Sequence, residues 1–181
     1  MTNTNYISDR VDDMVRRYDT RDPFALCRAM HIRVRYKDLG NDIKAFFFYQ
    51  SRIKNVVINE RAGNVARRVL CAHELGHAVL HGELAAMRGF QELELFDALV
   101  PTEYEANLFA AELLIEDSVL LSMLKDRDAS FFDIAKELYV PSALLDFKFR
   151  ALKSKGYSFE PPCHSRADFL KDDLFDCEHE E

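Results

Sequence analysis

One stretch constrains this chain more than any other: Val69 to Gly82, reading VLCAHELGHAVLHG. Within it His73, Glu74 and His77 form the pattern H-E-x-x-H. Residues four apart stand one above the other on a helix face. A helix here therefore offers two imidazoles to one metal ion. Glu74 falls beside the open part of the coordination sphere, where a carboxylate can act as general base toward water. Ala72, Leu75, Ala78, Val79 and Leu80 are apolar, and Gly82 suits the position just past a helix end. Gly76 runs against the pattern, since a mid-helix glycine costs about 1 kcal/mol relative to alanine. Its presence predicts that another part of the chain packs close to the backbone there. The competing reading is a core helix with two satisfied histidines. It leaves a buried Glu74 without a partner, which is costly.

The rest of the composition fits one domain. The chain has 181 residues, 48% of them hydrophobic, enough for an ordinary buried core. The net charge is -7 and unevenly placed. Residues 1–90 carry 15 Lys/Arg and 10 Asp/Glu, net +5, whereas residues 91–181 carry 9 and 21, net -12. That balance argues against broad nucleic-acid binding. Cys27, Cys71, Cys163 and Cys177 show no C-x-x-C spacing and do not read as a disulfide scaffold. MTNTNYISDR lacks a signal-peptide core, and no apolar run reaches membrane-span length. These features predict a cytoplasmic protein with reduced thiols and no membrane association.

Ahead of the metal helix, Ile7, Val11, Met14 and Val15 recur at helical spacing, and the helix ends near Tyr18 to Thr20. Asp22-Pro23 starts a second helix, with Asp22 as cap and Pro23 at the first helical position. The period then changes. Ile32, Val34 and Tyr36 alternate with basic residues, and Ala45–Tyr49 and Asn55–Asn59 are further strands around a polar turn, Gln50–Lys54. A small, largely antiparallel sheet packed on the metal helix follows. That helix begins near Glu60, or is capped by Asn59 or Asn64. His81, one turn past His77, is too far along to share the ion and suits a hydrogen bond or the helix end. Cys71 reads as a small buried residue. Residues 82–100 form a long connection that borders the cleft or covers the core.

The third ligand is sought after Pro101. Thr102 and Glu105 fit a capping box, T-x-x-E, and Leu108 to Ile115 continue a buried helix. Glu103 and Asn107 share one face of it. With Glu105 assigned to capping, Glu103 is the better metal ligand, completing a His₂Glu set. Asn107 can steady Glu103 or accept from the outward N–H of a ligand histidine.

The segments AHELGHAVLH and EYEANLFAAELLI together resemble the ImmA/IrrE family of zinc metallopeptidases, over roughly Ile7 to Tyr157. The resemblance implies His73, His77 and Glu103 as zinc ligands and Glu74 as catalytic base. It also implies a protein substrate, a partner transcriptional repressor of the helix-turn-helix type in a mobile-element or stress-response system. The fold expected is α+β, a small zincin-like domain with a short antiparallel or mixed sheet on the H-E-x-x-H helix and a mostly helical C-terminal half. Residues 1–157 make the domain and 158–181 an acidic strap or tail. The rival class is a zinc-containing binding or sensor protein that sequesters a repressor without cutting it. Retention of Glu74 disfavours it, because a structural site needs no base.

Farther on, IAKELYVPSALLDFKFRAL has the cadence of a helix-turn-helix. Its large apolar residues mark a packing element that closes the domain, despite Lys148, Arg150, Lys153 and Lys155. Gly156 ends the last helix. Tyr104 and His164 are candidate donors to the transition-state oxyanion. Cys163-His164 with Cys177 and His179 make a weak alternative second zinc set, given their irregular spacing.

Overall fold

The helix carrying H-E-x-x-H packs against the sheet and against a second long helix. The structure, a computed structural model of the chain, describes residues 4–82, 100–125 and 130–158. In order these form α1 (Thr4–Tyr18), α2 (Pro23–Ala29), β1 (Arg33–Lys37), β2 (Ala45–Gln50), β3 (Ile53–Asn59) and α3 (Asn64–Leu80). Then come α4 (Val100–Leu114), α5 (Asp117–Met123), α6 (Phe131–Glu137) and α7 (Ser142–Ser154). The architecture is α+β, as the sequence leads one to expect. None of the described helices is long and apolar enough to cross a membrane. The 82–100 connection, His164, the Cys163, Cys177 and His179 set and the acidic tail fall almost wholly outside the described residues.

Local chemistry explains most element ends. Asp22 accepts from the backbone N–H of Phe24 and Ala25 at 3.3 and 3.0 Å, and Pro23 opens α2. Helix α6 starts in a reciprocal capping box between Ser130 and Asp133. Helix α3 behaves differently: its cap is Gly63, with no side-chain bond, so neither Asn59 nor Asn64 caps it. Asn59 instead donates to the carbonyls of Gly40 and Ile43, and its own carbonyl accepts from Arg61 N–H. It braces the loop between β1 and β2. Thr102 and Glu105 form no capping box either, because α4 already runs from Val100.

The sheet has the order β1-β3-β2. The β2–β3 pair is an antiparallel hairpin whose two turn residues, Ser51 and Arg52, have φ of 50° and 63°. Both central residues at positive φ suit the twist of a two-residue hairpin. The turn is therefore shorter than the Gln50–Lys54 segment. Strand β3 then inserts between β2 and β1 and runs parallel to β1, with Val34 opposite Val56 and Tyr36 opposite Ile58. The sheet is thus mixed rather than largely antiparallel; alternation along a strand does not encode its neighbour's direction. Val56 and Ile58 of β3 point into the core. Tyr36 does not follow the inward pattern: it is half exposed, with the Arg67 guanidinium 5.3 Å from its ring centre.

Helix α4 lies on the other side of α3 and is buried nearly all round, from Ala106 to Leu114. Helices α1 and α7 cover its outer side. The α6–α7 unit is a packing element, as its apolar content suggests, and Ala143 to Phe149 of α7 are all buried. Lys148 is among them. Its ammonium lies 2.9 Å from Glu112 Oε1 and pairs with Asp117, while Lys155 reaches the same two carboxylates at 2.7 and 2.8 Å. Lys148 is therefore a structural cation of the interior, not part of a basic surface.

This predicts unequal effects along α7. Lys148→Ala leaves buried carboxylate charge poorly compensated and is expected to cost about 3–5 kcal/mol in urea unfolding. Arg150→Ala removes a half-exposed guanidinium 3.4 Å from the Asp146 carboxylate and is expected to cost less, on the order of 1 kcal/mol.

Candidate metal centre

The site is made where α3 and α4 come close together. At Gly76 a Cβ atom would lie 3.2 Å from Ala106 Cα and 3.2 Å from Phe109 Cβ and Cδ1. The glycine permits a helix spacing that a larger residue would push apart. Two elements presented at that spacing bring His73 and His77 of α3 against Glu103 of α4.

The three side chains converge. His73 Nε2 and His77 Nε2 are 3.1 Å apart, and each is 3.2 Å from a different carboxylate oxygen of Glu103. A tetrahedral ion with bonds of roughly 2.0–2.1 Å separates its ligand atoms by about 3.3 Å. The nitrogen–nitrogen spacing, and the shortest nitrogen–oxygen spacing from each histidine, are close to that edge length. Nitrogen lone pairs and a carboxylate held so close repel one another unless positive charge sits among them. The donor set therefore fits a divalent cation of the zinc type.

The protonation pattern agrees. Burial drives the His77 pKa down to about 4, against the pull of the Glu103 carboxylate, so His77 stays neutral with a lone pair to offer. Burial also opposes charge on His73, but its bond to Glu103, the nearby Glu74 carboxylate and Asn107 outweigh it and raise its pKa. Burial likewise opposes ionisation of Glu103, yet the two histidines hold its carboxyl well below the usual range. Of the two histidines, His73 is therefore the one whose surroundings favour the protonated form.

Glu74 is buried next to this cluster. Burial pushes its carboxyl up to about 7, partly offset by His73 and by a hydrogen bond from the Phe47 backbone on β2. Its Oε2 has no hydrogen-bond partner among the described residues. A buried carboxylate oxygen without a partner is expensive, and such groups mark functional sites. A pKa near neutrality is what general-base work requires.

Asn107 Oδ1 faces His73 Nδ1 at 2.8 Å, so the amide steadies the histidine rather than Glu103. Tyr104 turns its ring onto Phe147 of α7, with centroids 5.4 Å apart. His81 closes the last turn of α3, and its ring pairs with Glu105 at 2.9 Å. Glu105 thus has a partner on α3 that spacing within its own helix cannot reveal. The Phe47 contact to Glu74 also escapes sequence reasoning, because it uses a backbone N–H. Cys71 is fully buried, 3.8 Å from Cys27 Sγ, and the contact with Cys27, together with burial, raises its pKa, as befits an inert thiol.

Residues 27–150 match the family model of the M78 peptidases, described as the IrrE N-terminal-like domain. The chain belongs to this family. It is 34% identical over 142 residues to "Uncharacterized immunity region protein 2" of Bacillus phage phi105, covering 78% of this chain and 88% of that protein. It is also 26% identical over 156 residues to "Metallopeptidase ImmA" of Bacillus subtilis (strain 168), covering 82% and 86% of the two chains. The ImmA/IrrE resemblance read from the two motifs is therefore borne out, and with it membership of a metallopeptidase family.

The site predicts how metal uptake depends on pH. Imidazole holds a metal only as its neutral form, so protons compete with a divalent ion for His73, whose pKa is raised, and binding should release protons and weaken as pH falls. Calorimetric titration of the metal-free protein with zinc in buffers of different ionisation enthalpy measures that release. Binding with no proton release would contradict the assignment. Glu103→Ala should lose zinc far more readily than Glu105→Ala.

Proposed function

We propose that this protein is a zinc-dependent endopeptidase that cuts a partner transcriptional repressor in the cytoplasm. The observation that carries the reading is Glu74: a buried carboxylate with one oxygen unpartnered among the described residues, next to a His-His-Glu cluster. A purely structural metal site needs no such base. His73, His77 and Glu103 would hold the ion. When bound, zinc would supply Lewis acidity toward a water and the scissile carbonyl. Glu74 takes a proton from the attacking water and then delivers it to the leaving amine, a cycle that its pKa near 7 suits. The Phe47 N–H fixes the carboxylate for both transfers. Strand β2, which carries Phe47, is an edge of the sheet, and an extended substrate segment adds to such an edge through backbone hydrogen bonds.

The repressor as substrate is supported by the relatives. One is named for a phage immunity region and the other is named a metallopeptidase. A helix-turn-helix repressor encoded beside this gene is the substrate to try first.

Glu74→Gln keeps the shape of the side chain and removes the base. The variant is expected to fold, retain zinc and bind the repressor, with cleavage reduced by at least about 100-fold. Mass spectrometry of the repressor after incubation with each protein, alongside a reporter of repression, decides the matter. Equal fragmentation by both proteins removes Glu74 from the mechanism. Relief of repression without cleavage by either would instead favour a protein that sequesters its partner.

A further inference from the structure

Two residues outside the His-His-Glu cluster are tied to it through His77. His81 Nε2 lies 2.9 Å from Glu105 Oε2, and His81 Nδ1 lies 3.3 Å from His77 Nδ1. The rings of the two histidines are 5.4 Å apart and tilted by 51°. An ionised carboxylate only accepts hydrogen bonds, so His81 carries its proton on Nε2. A neutral His81 then has its lone pair on Nδ1, where it accepts from the Nδ1–H of His77. That leaves the His77 lone pair on Nε2, the atom that faces His73 and Glu103.

Building on the metal-site reading above, we propose that His81 and Glu105 form a positioning relay that fixes the tautomer and ring plane of His77 for metal capture. The place of His77 in the fold explains why it would need one. His77 lies in the last turn of α3, where helix ends fray, whereas His73 lies a turn farther inside. Outside the cluster, the His73 ring meets Asn107 on α4. His77 is held twice by a single residue. The His81 backbone N–H donates to the His77 carbonyl at 2.9 Å, closing the turn, and the His81 ring accepts from the imidazole Nδ1–H. Glu105 anchors that ring to α4, two residues past Glu103. Both walls of the site are thereby linked at the end of α3 as well as at Gly76. Neither His81 nor Glu105 is fully buried, so a role in core packing alone does not account for their pairing.

The test uses the full chain and zinc itself. Long-range proton–nitrogen NMR spectra of the metal-free, nitrogen-15-labelled protein report which His77 nitrogen is protonated. Competition with a chromogenic chelator reports zinc affinity. In the wild type His77 should be protonated on Nδ1. His81→Ala and Glu105→Ala should shift His77 toward a tautomer mixture and weaken zinc binding about 10–100-fold. Glu105→Gln, which still offers an acceptor to His81, should restore both readouts to near the wild-type values. Circular dichroism identifies any variant that fails to fold, and Glu105→Ala stands in should His81→Ala do so. An unchanged His77 tautomer in folded Glu105→Ala overturns the relay, whatever the zinc affinity. Weaker zinc binding in His81→Ala alone, with Glu105→Ala like the wild type, also overturns it and reduces His81 to a helix-end contact. A wild-type protein that takes up no zinc, yet whose His77 tautomer responds to Glu105→Ala, overturns the metal reading while the relay stands.

Discussion

The contact between α3 and α4 at Gly76 sets the geometry on which the site depends. The cluster residues ride on two helices, and their separation is that of the helices. Ala106 Cα and Phe109 already occupy the space a Cβ would fill. Without this approach, Glu103 would stand off from the histidines. The remaining elements keep the two helices in place. Strand β3 and α2 pack on α3, while α1 and α7 cover α4. Arg21 donates to the Glu112 and Leu113 carbonyls at the end of α4, 3.0 and 3.2 Å away, and so satisfies groups that a helix end leaves open. The site is precise because its supports are buried and its ligands are short extensions of rigid helices.

Two groups of buried charge follow different logics. Around Lys148, opposite charges are matched in pairs: two ammonium groups meet Glu112 and Asp117. That network is complete without an added ion. Around His73 the balance is incomplete. Glu103 is held ionised, His77 is held neutral, and Glu74 is raised toward neutrality with one oxygen unpartnered among the described residues. Burial would not tolerate this for structural reasons alone, since each group would be cheaper as an apolar residue of similar size. The difference between a satisfied network and an unsatisfied one is what separates scaffold from site here.

Much of this was legible in the sequence because its signals are local. The i, i+4 spacing of His73 and His77, the Asp22-Pro23 start of α2, and the exposed requirement for a small residue at Gly76 each depend on a few neighbouring residues. What the sequence could not resolve depended on partners far along the chain. Thr102 and Glu105 satisfy a capping-box pattern, but the helix begins earlier and Glu105 is drawn to His81 on another helix. Asn59 has the chemistry of a cap, yet three backbone groups of the β1–β2 loop and its own turn use it first. The β1–β3 pairing is parallel because β3 inserts between its predecessors, a topological fact with no signature in strand alternation. Lys148 looks like a surface cation until Glu112, thirty-six positions earlier, is placed beside it.

That last case bears on what the protein can recognise. The α6–α7 pair has the cadence of a DNA-reading unit, but a recognition helix must present polar and basic side chains outward to base edges and phosphates. Helix α7 does the reverse. Its central lysine is turned inward as a counter-ion, and Phe147 and Phe149 are buried against Tyr104 and Phe131. A salt-dependent grip on phosphate needs several free cations on one face, and the burial of Lys148 removes one from the middle of this helix. Under the function proposed above, operator sequence is then read by the repressor alone. On that proposal the repressor would be recognised as a polypeptide, by pairing of its backbone with the β2 edge beside the His-His-Glu cluster.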